Sequence, residues 1–283
     1  MTAHAALLSD GRLHLQHGPI DCLCRAWGST AEVEAAYWQA AQAFPAVLPG
    51  LVAELPVLRT PLGEAQPELH GAVAQAMAAA CAPFAAGFIT PMAAVAGAVA
   101  DHLLRAMLNG RRLDRAFVNN GGDIAVHAAP GHPVAVGLVA AGAMPGQVTL
   151  QSAGGVATSG AACKGRGGRS FSFGIADAVT VLAHTAAAAD AAASVIGNAV
   201  DLPGHRAIIR RPACDIDPDS DLGARLVTWQ VGMLTEAEAV AALDAGRVVA
   251  DALLRRGIIT GAALMLRGRV LTVGCAAEQL EAV

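Results

Sequence analysis

The stretch Ala116-Phe117-Val118-Asn119-Asn120-Gly121-Gly122-Asp123-Ile124-Ala125-Val126-His127 decides the architecture. Two short extended runs flank a pair of glycines, and glycine supplies the backbone freedom that a tight turn between strands requires. The rhythm continues downstream, where extended runs at 134–139 and 147–151 are separated by Gly and Pro turns, as in an antiparallel meander. A further pair of runs, 170–173 and 178–182, precedes an alanine-rich helix expected over about 185–200. Upstream the grammar is helical. Ser29-Thr30 followed by Glu32 and Glu34 opens a helix that Pro45 stops, and turns are expected at Pro49, Pro56, Pro61 and Pro67. Helical patterns then cover 68–81 and 91–109, the second with Thr90 as cap, Pro91 at its first position and Asn109-Gly110 as its stop.

The ends of the chain fit the same class. Alternating pieces such as Arg12-Leu13-His14-Leu15-Gln16 read as an edge strand, and the tail reads as a strand near 226–231, a helix over 235–256 and a hairpin across Arg267-Gly268-Arg269. The expected fold is α/β, with mixed, mainly antiparallel sheets packed with Ala-rich helices. No low-complexity linker interrupts the chain, so one domain is expected over 1–283.

Composition limits the partners. Lys+Arg 19 against Asp+Glu 23 gives a net charge of −4, which leaves no global basic field for a polyanion, and no nucleic-acid partner is expected. The uncharged stretch 71–100 is long enough to span a bilayer, but it is mostly alanine and is broken by Pro83, Gly87 and Pro91, with Gln75 inside; no membrane partner is expected. The six cysteines are scattered without zinc-type spacing, and the start of the chain has no basic segment followed by an apolar one, so a reducing cytoplasm is the expected location.

Four segments place polar groups or bare backbone beside elements that otherwise read as buried. Asn120, Gly121, Gly122 and Asp123 would allow a ligand close to the backbone, or form a hairpin turn with an Asx cap. Ala157-Thr158-Ser159-Gly160, followed by a glycine-rich loop with Lys164, Arg166 and Arg169, would surround a pyrophosphate with N–H donors and cations. That loop lacks the Gly-Lys-Ser/Thr of a P-loop, and a solvated basic loop is the alternative. Asp177, in Gly174-Ile175-Ala176-Asp177, is either a ligand contact or a turn former. Asp190 and Ser194 lie four positions apart on one helix face, where a carboxylate and a hydroxyl can serve a hard cation or simply share a surface hydrogen bond.

In order and character these segments resemble the ApbE family of flavin transferases. The pieces that carry the resemblance are Ala93-Ala94-Val95-Ala96-Gly97, Asn120-Gly121-Gly122-Asp123, Ala157-Thr158-Ser159-Gly160, Ala178-Val179-Thr180-Val181 and Ala189-Asp190-Ala191 with Ser194. The resemblance implies a Mg2+ site formed by the Ala157 carbonyl, Asp190 and Ser194, the last in place of the family's threonine. It also implies FAD, or another flavin or pterin, as the small-molecule ligand, and a reaction that splits FAD and passes FMN to a protein hydroxyl. Asp190 and Asp177 are then the candidate catalytic carboxylates. The family's helix lysine has no counterpart between Ala96 and Gly97, and its histidine-bearing segment is replaced by Phe171-Ser172-Phe173-Gly174-Ile175-Ala176-Asp177. The run 168–181 is closer to an uncharacterised ApbE-related family, some of whose members are linked to tetrahydromethanopterin biosynthesis. The alternative function is accordingly a pterin-pathway enzyme or pterin-binding protein that has lost FMN transfer.

Other polar residues admit plain readings. His14 and His17 could chelate a metal from one strand, or only mark an exposed face. Cys22 and Cys24 read as small buried hydrophobes. The helix over 235–256 has a mixed charged surface and an apolar face that packs either on the sheet or on a second copy, which leaves a homodimer open.

Overall fold

The structure is a computed structural model that describes residues 2–65, 67–140, 143–159 and 171–274. Its chain falls into two compact units. The first comprises Met1–Val136, Thr149–Ala157 and Ala183–Ala191, and the second Gly137–Val148, Thr158–Leu182 and Ala192–Val283.

In the first unit, strands β1 (His4–Leu7), β2 (Leu13–His17), β3 (Ile20–Trp27), β4 (Arg115–Asn120) and β5 (Asp123–Ala128) pair antiparallel in chain order. Alternation along them sorts the faces, as period-2 strands must. Leu13, Leu15, Cys22, Cys24, Ala26, Ala116 and Val118 are buried, while the residues between them reach the other face. The buried face is covered by helices α1 (Thr30–Ala43) and α5 (Val95–Leu108), with α2 (Val47–Ala53), α3 (Leu55–Leu58) and α4 (Ala72–Cys81) filling the connection.

Local signals set the helix limits. Ser29 caps α1 by accepting the Glu32 amide at 3.4 Å. The turns expected at Pro49 and Pro56 do not form; each proline sits in the first turn of a short helix, where its missing N–H leaves no intrahelical bond unmade. The helix expected from residue 68 begins at Ala72, because Gly71 is extended and the Glu54 carboxylate takes the amides of His70 and Gly71 at 2.7 and 2.8 Å. Past the β6 (Val134–Ala140) and β7 (Ala143–Leu150) ribbon, β8 (Gly154–Ser159) returns to pair antiparallel with β5, setting Ile124 opposite Val156.

In the second unit β9 (Ala178–Ala183), β12 (Gly261–Leu266) and β13 (Arg269–Gly274) form an antiparallel set, and β10 (Ile208–Pro212) pairs with β11 (Leu226–Val231). Helix α6 (Ala186–Ala199) starts in the first unit and ends in this one. Its alanines 186, 187, 189, 191, 192 and 193 are all buried, which small side chains permit on nearly every side of a helix. A short helix α7 (Ala213–Ile216) follows β10. Helix α8 (Glu236–Arg255) opens with a capping box, in which Thr235 accepts the Glu238 amide and the Glu238 carboxylate accepts the Thr235 amide. Of the strand expected over 170–173, Ser170 lies outside the described residues, and Phe171–Phe173 form no strand because their bonds run elsewhere. Asn198 accepts from Ser172 Oγ and the Phe173 amide, and the Ser172 carbonyl accepts the Thr228 amide. The fold class is mixed α/β with mainly antiparallel sheets, as the sequence indicated. Among the described residues no helix is long and apolar enough to cross a membrane.

Candidate functional site

The site grows from the place in the first unit where the start of α6 meets the start of α5. Gly155 on β8 and Gly97 on α5 both touch the Ala186 backbone directly. A β-carbon on Gly155 would lie 2.1 Å from the Ala186 nitrogen, so β8, α5 and α6 can converge here only through glycine.

The amides of a helix's first turn have no intrahelical acceptor, and two such sets face each other here. Asp190, one turn into α6, accepts the Gly97 amide on Oδ2 at 3.0 Å, with the Ala96 amide adding to the same stabilisation. Asp101, in the second turn of α5 and one turn beyond Gly97, accepts the Ala186 amide on Oδ1 at 3.0 Å and the Ala187 amide on Oδ2 at 2.9 Å. Each helix therefore carries the carboxylate that caps the other. Thr185 completes the α6 terminus by taking the Ala188 amide on its hydroxyl at 3.1 Å.

The β4–β5 turn closes on the same corner. Asn120 pairs with Asp123 across the two-residue loop, and Gly121 and Gly122 have φ of 66° and 117°, the positive values that a two-residue hairpin demands. Asn119 Oδ1 accepts the Gly122 amide at 2.8 Å, which is the Asx cap. Buried Asn120 turns inward and donates from Nδ2 to the Ala96 carbonyl at 3.1 Å. The segment is thus a structural hairpin turn that also reaches the first turn of α5.

Electrostatics single out Asp190. Burial of its carboxyl is the largest cause that raises its pKa, the Asp123 carboxylate comes next, and the Gly97 and Ala96 amides oppose them; the result lies well above the ordinary carboxylate range. Burial likewise raises Asp101 against the pull of its two amides. On α4 the buried Cys81 thiol is pushed up by burial and then by the Asp190 charge. Two acids that interact in a desolvated corner form a set that a proton or a cation relieves.

Ala157 is buried on β8, and Ser194 is half-buried on α6, one turn beyond Asp190. Thr158 is exposed and shares a hydroxyl–hydroxyl contact of 3.0 Å with Thr180. Ser159 Oγ stands 3.8 Å from where a Gly197 β-carbon would be. Gly160, Lys164, Arg166 and Arg169 lie outside the described residues. Asp177 belongs to the second unit, where its Oδ2 takes the Arg267 amide at 2.6 Å and holds the β12–β13 turn, in which Arg267 itself has φ 52°. His14 and His17 cannot share a metal from one strand face: three positions apart, they point oppositely, His14 to Asp21 at 3.0 Å and buried His17 to the edge of Phe44. Cys22 and Cys24 are buried, as read. Among the described residues no group of three or more His, Cys, Asp and Glu side chains is placed to hold a metal.

Asp101 was not legible as a site residue. A signal existed nonetheless, because Gly97-x-x-x-Asp101 and Ala186-x-x-x-Asp190 repeat one spacing, a small residue in the first helical turn and an acid one turn later.

The family model described as AbpE bacteria matches residues 5–272. A UPF0280 protein of Methanothrix thermoacetophila is 36% identical over 143 residues, 49% of this chain and 56% of the relative. A UPF0280 protein of Methanopyrus kandleri is 41% identical over 149 residues, 50% of this chain and 56% of the relative. The chain thus spans about half the length of these curated relatives. The crystal structure of the ApbE protein from Thermotoga maritima superposes with a TM-score of 0.53 at 11% identity over 99% of each chain, a likeness of fold.

Proposed function

The chain belongs to the AbpE bacteria family, and from that premise we propose that it binds a flavin nucleotide, or another pyrophosphate-bearing ligand, together with Mg2+ as an ApbE-type transferase. The observation that carries this reading is the Asp190 carboxyl, desolvated beside Asp123 and held by the first-turn amides of α5. Mg2+ is commonly held by one or two carboxylates with other oxygens and substrate phosphates completing its shell. Asp190, the Ala157 carbonyl and the Ser194 hydroxyl would supply such oxygens. Bound there, the cation would neutralise charge on a pyrophosphate.

The chain's own residues set the rest. Gly97 and Ala96 orient the Asp190 carboxyl, Asn120 ties the glycine turn to the start of α5, and Gly122, with nothing within 4 Å of where a β-carbon would stand, would let a ligand approach the backbone of that turn. Lys164, Arg166 and Arg169 would steady the leaving phosphate, a role that rests on the sequence. Isothermal titration of the full chain with FAD, with and without Mg2+, tests the reading, followed by turnover of FAD by Asp190→Ala. Metal-dependent turnover that survives this substitution refutes it.

One observation favours a second reading, in which flavin transfer is lost and a pterin is the ligand. The segment that replaces the family's histidine spends its polar groups internally, Ser172 on Asn198 and Gly174, and Asp177 on Arg267. Binding of a reduced pterin without cleavage of FAD would favour it, including a role in making tetrahydromethanopterin.

A further inference from the structure

Resting on the reading of Asp190 as the cation's carboxylate, we propose that Asp101 is its positioning residue, and that the two acids form one reciprocal lock. Asp190 is the fifth residue of α6, so its place is set by where α6 begins. That beginning is held by Asp101, whose two oxygens take the Ala186 and Ala187 amides at 3.0 and 2.9 Å. Asp101 in turn is the seventh residue of α5, whose first turn is held by Asp190 through Gly97 at 3.0 Å.

The contact at Gly97 and Ala186 makes the lock stiff, since backbone meets backbone with no side chain between them to yield. Asp101 uses both oxygens on α6 amides, and Asp190 takes the Gly97 amide on Oδ2 with the Ala96 amide adding to it. Asp101 therefore acts on a ligand only through α6. Its loss would leave the first two amides of α6 without their acceptor and let Asp190 shift relative to Ala157.

The test uses the full chain with Mg2+ alone as probe. Asp101→Ala and the milder Asp101→Asn, whose amide oxygen can still accept one N–H, are compared with Thr235→Ala, which removes a helix cap in the second unit. Loss of an outer partner of a metal ligand typically weakens binding about 10–100-fold. The expected result is a loss of about tenfold or more for Asp101→Ala, a smaller loss for Asp101→Asn, and none for Thr235→Ala at a comparable fall in melting temperature. Equal affinity in all three overturns the proposal. If the unmodified chain binds no Mg2+, the cation reading of Asp190 falls, and hydrogen exchange judges the lock itself. Asp101→Asn should then speed exchange at Gly97 as well as at Ala186 and Ala187, while Thr235→Ala speeds neither; an unchanged Gly97 amide overturns the lock.

Discussion

Gly97 and Ala186 meet so closely that a β-carbon on Gly97 would stand 2.2 Å from the Ala186 carbonyl oxygen and 2.4 Å from its carbon. Both are backbone atoms of a helix start, so neither can rotate away. Gly97→Ala must push α5 and α6 apart, and overpacking of this kind costs about 1–3 kcal/mol or more. At roughly 2–4 °C per kcal/mol for a chain of this size class, the melting temperature should fall by several degrees. Gly155→Ala should do the same from the β8 side, since its β-carbon would meet the Ala186 nitrogen. Unchanged melting in both variants would show that the junction is looser than described.

Asp190 predicts the pH dependence of the metal-free chain. Its folded pKa is raised by burial and by Asp123, so the folded state holds its proton at pH values where the unfolded state has released it. The stability from this group is present below the ordinary carboxylate pKa and is lost as pH rises through the raised folded value. Asp190→Asn keeps an oxygen for the Gly97 amide and removes the charge. In a chelating buffer the variant should show a flatter decline of stability with rising pH, and it should equal or exceed the unmodified chain at neutral pH. Melting curves from pH 4 to 8 measure this, and a variant less stable across the whole range contradicts it.

A second ionic group anchors the segment that stands in for the family's histidine. Arg210 on β10 donates from Nη2 to both oxygens of Asp201 at 2.6 and 2.7 Å, and from Nη1 to the Phe173 carbonyl. Both side chains are largely screened from solvent, at 21% and 16% exposure, so the pair lies in the range where charged hydrogen bonds count. Asp201→Ala and Arg210→Ala should each cost about 1.5–3 kcal/mol in denaturant unfolding. The double variant should cost less than the sum, since one network is removed twice. Strict additivity would show that the two residues act independently.

What the sequence disclosed and what it hid divide by how local the cause is. The starts of α1 and α8 were legible because Ser29 and Thr235 cap them within three residues. The β4–β5 hairpin was legible because its two glycines sit between two alternating runs. Pairing of β8 with β5 was not, because β8 follows an intervening ribbon and only the tertiary fold returns it. Pro49 and Pro56 misled because a proline marks a helix start as readily as a turn. Asp190 was visible as an acid on an alanine helix, but its partner Asp101 was not. A cap supplied from another helix depends on where two axes cross, and the sequence records that crossing only indirectly, as bare glycines at 97 and 155 and as an acid four residues after a small residue on each helix.

Thiol chemistry offers a report on the same junction from outside it. Cys22, Cys24 and Cys81 are fully buried, and burial raises each thiol, Cys24 to about 12, whereas Cys214 is partly exposed. A thiol reacts as its thiolate, so at pH 8 the three buried groups should resist a maleimide while Cys214 is labelled. Cys81 is the informative one. It ends α4, its sulfur lies 3.9 Å from the Pro91 carbonyl, and the Asp190 charge adds to the rise in its pKa. Anything that parts α5 from α6 should loosen this packing, so Cys81 should become labelled in Gly97→Ala and Asp101→Ala under conditions where Cys22 and Cys24 stay protected. Peptide mapping by mass spectrometry reads each site separately. Labelling of all three buried cysteines together would mean that the variants unfold globally, and protection of Cys81 throughout would mean that the α5–α6 contact does not govern the α4 end.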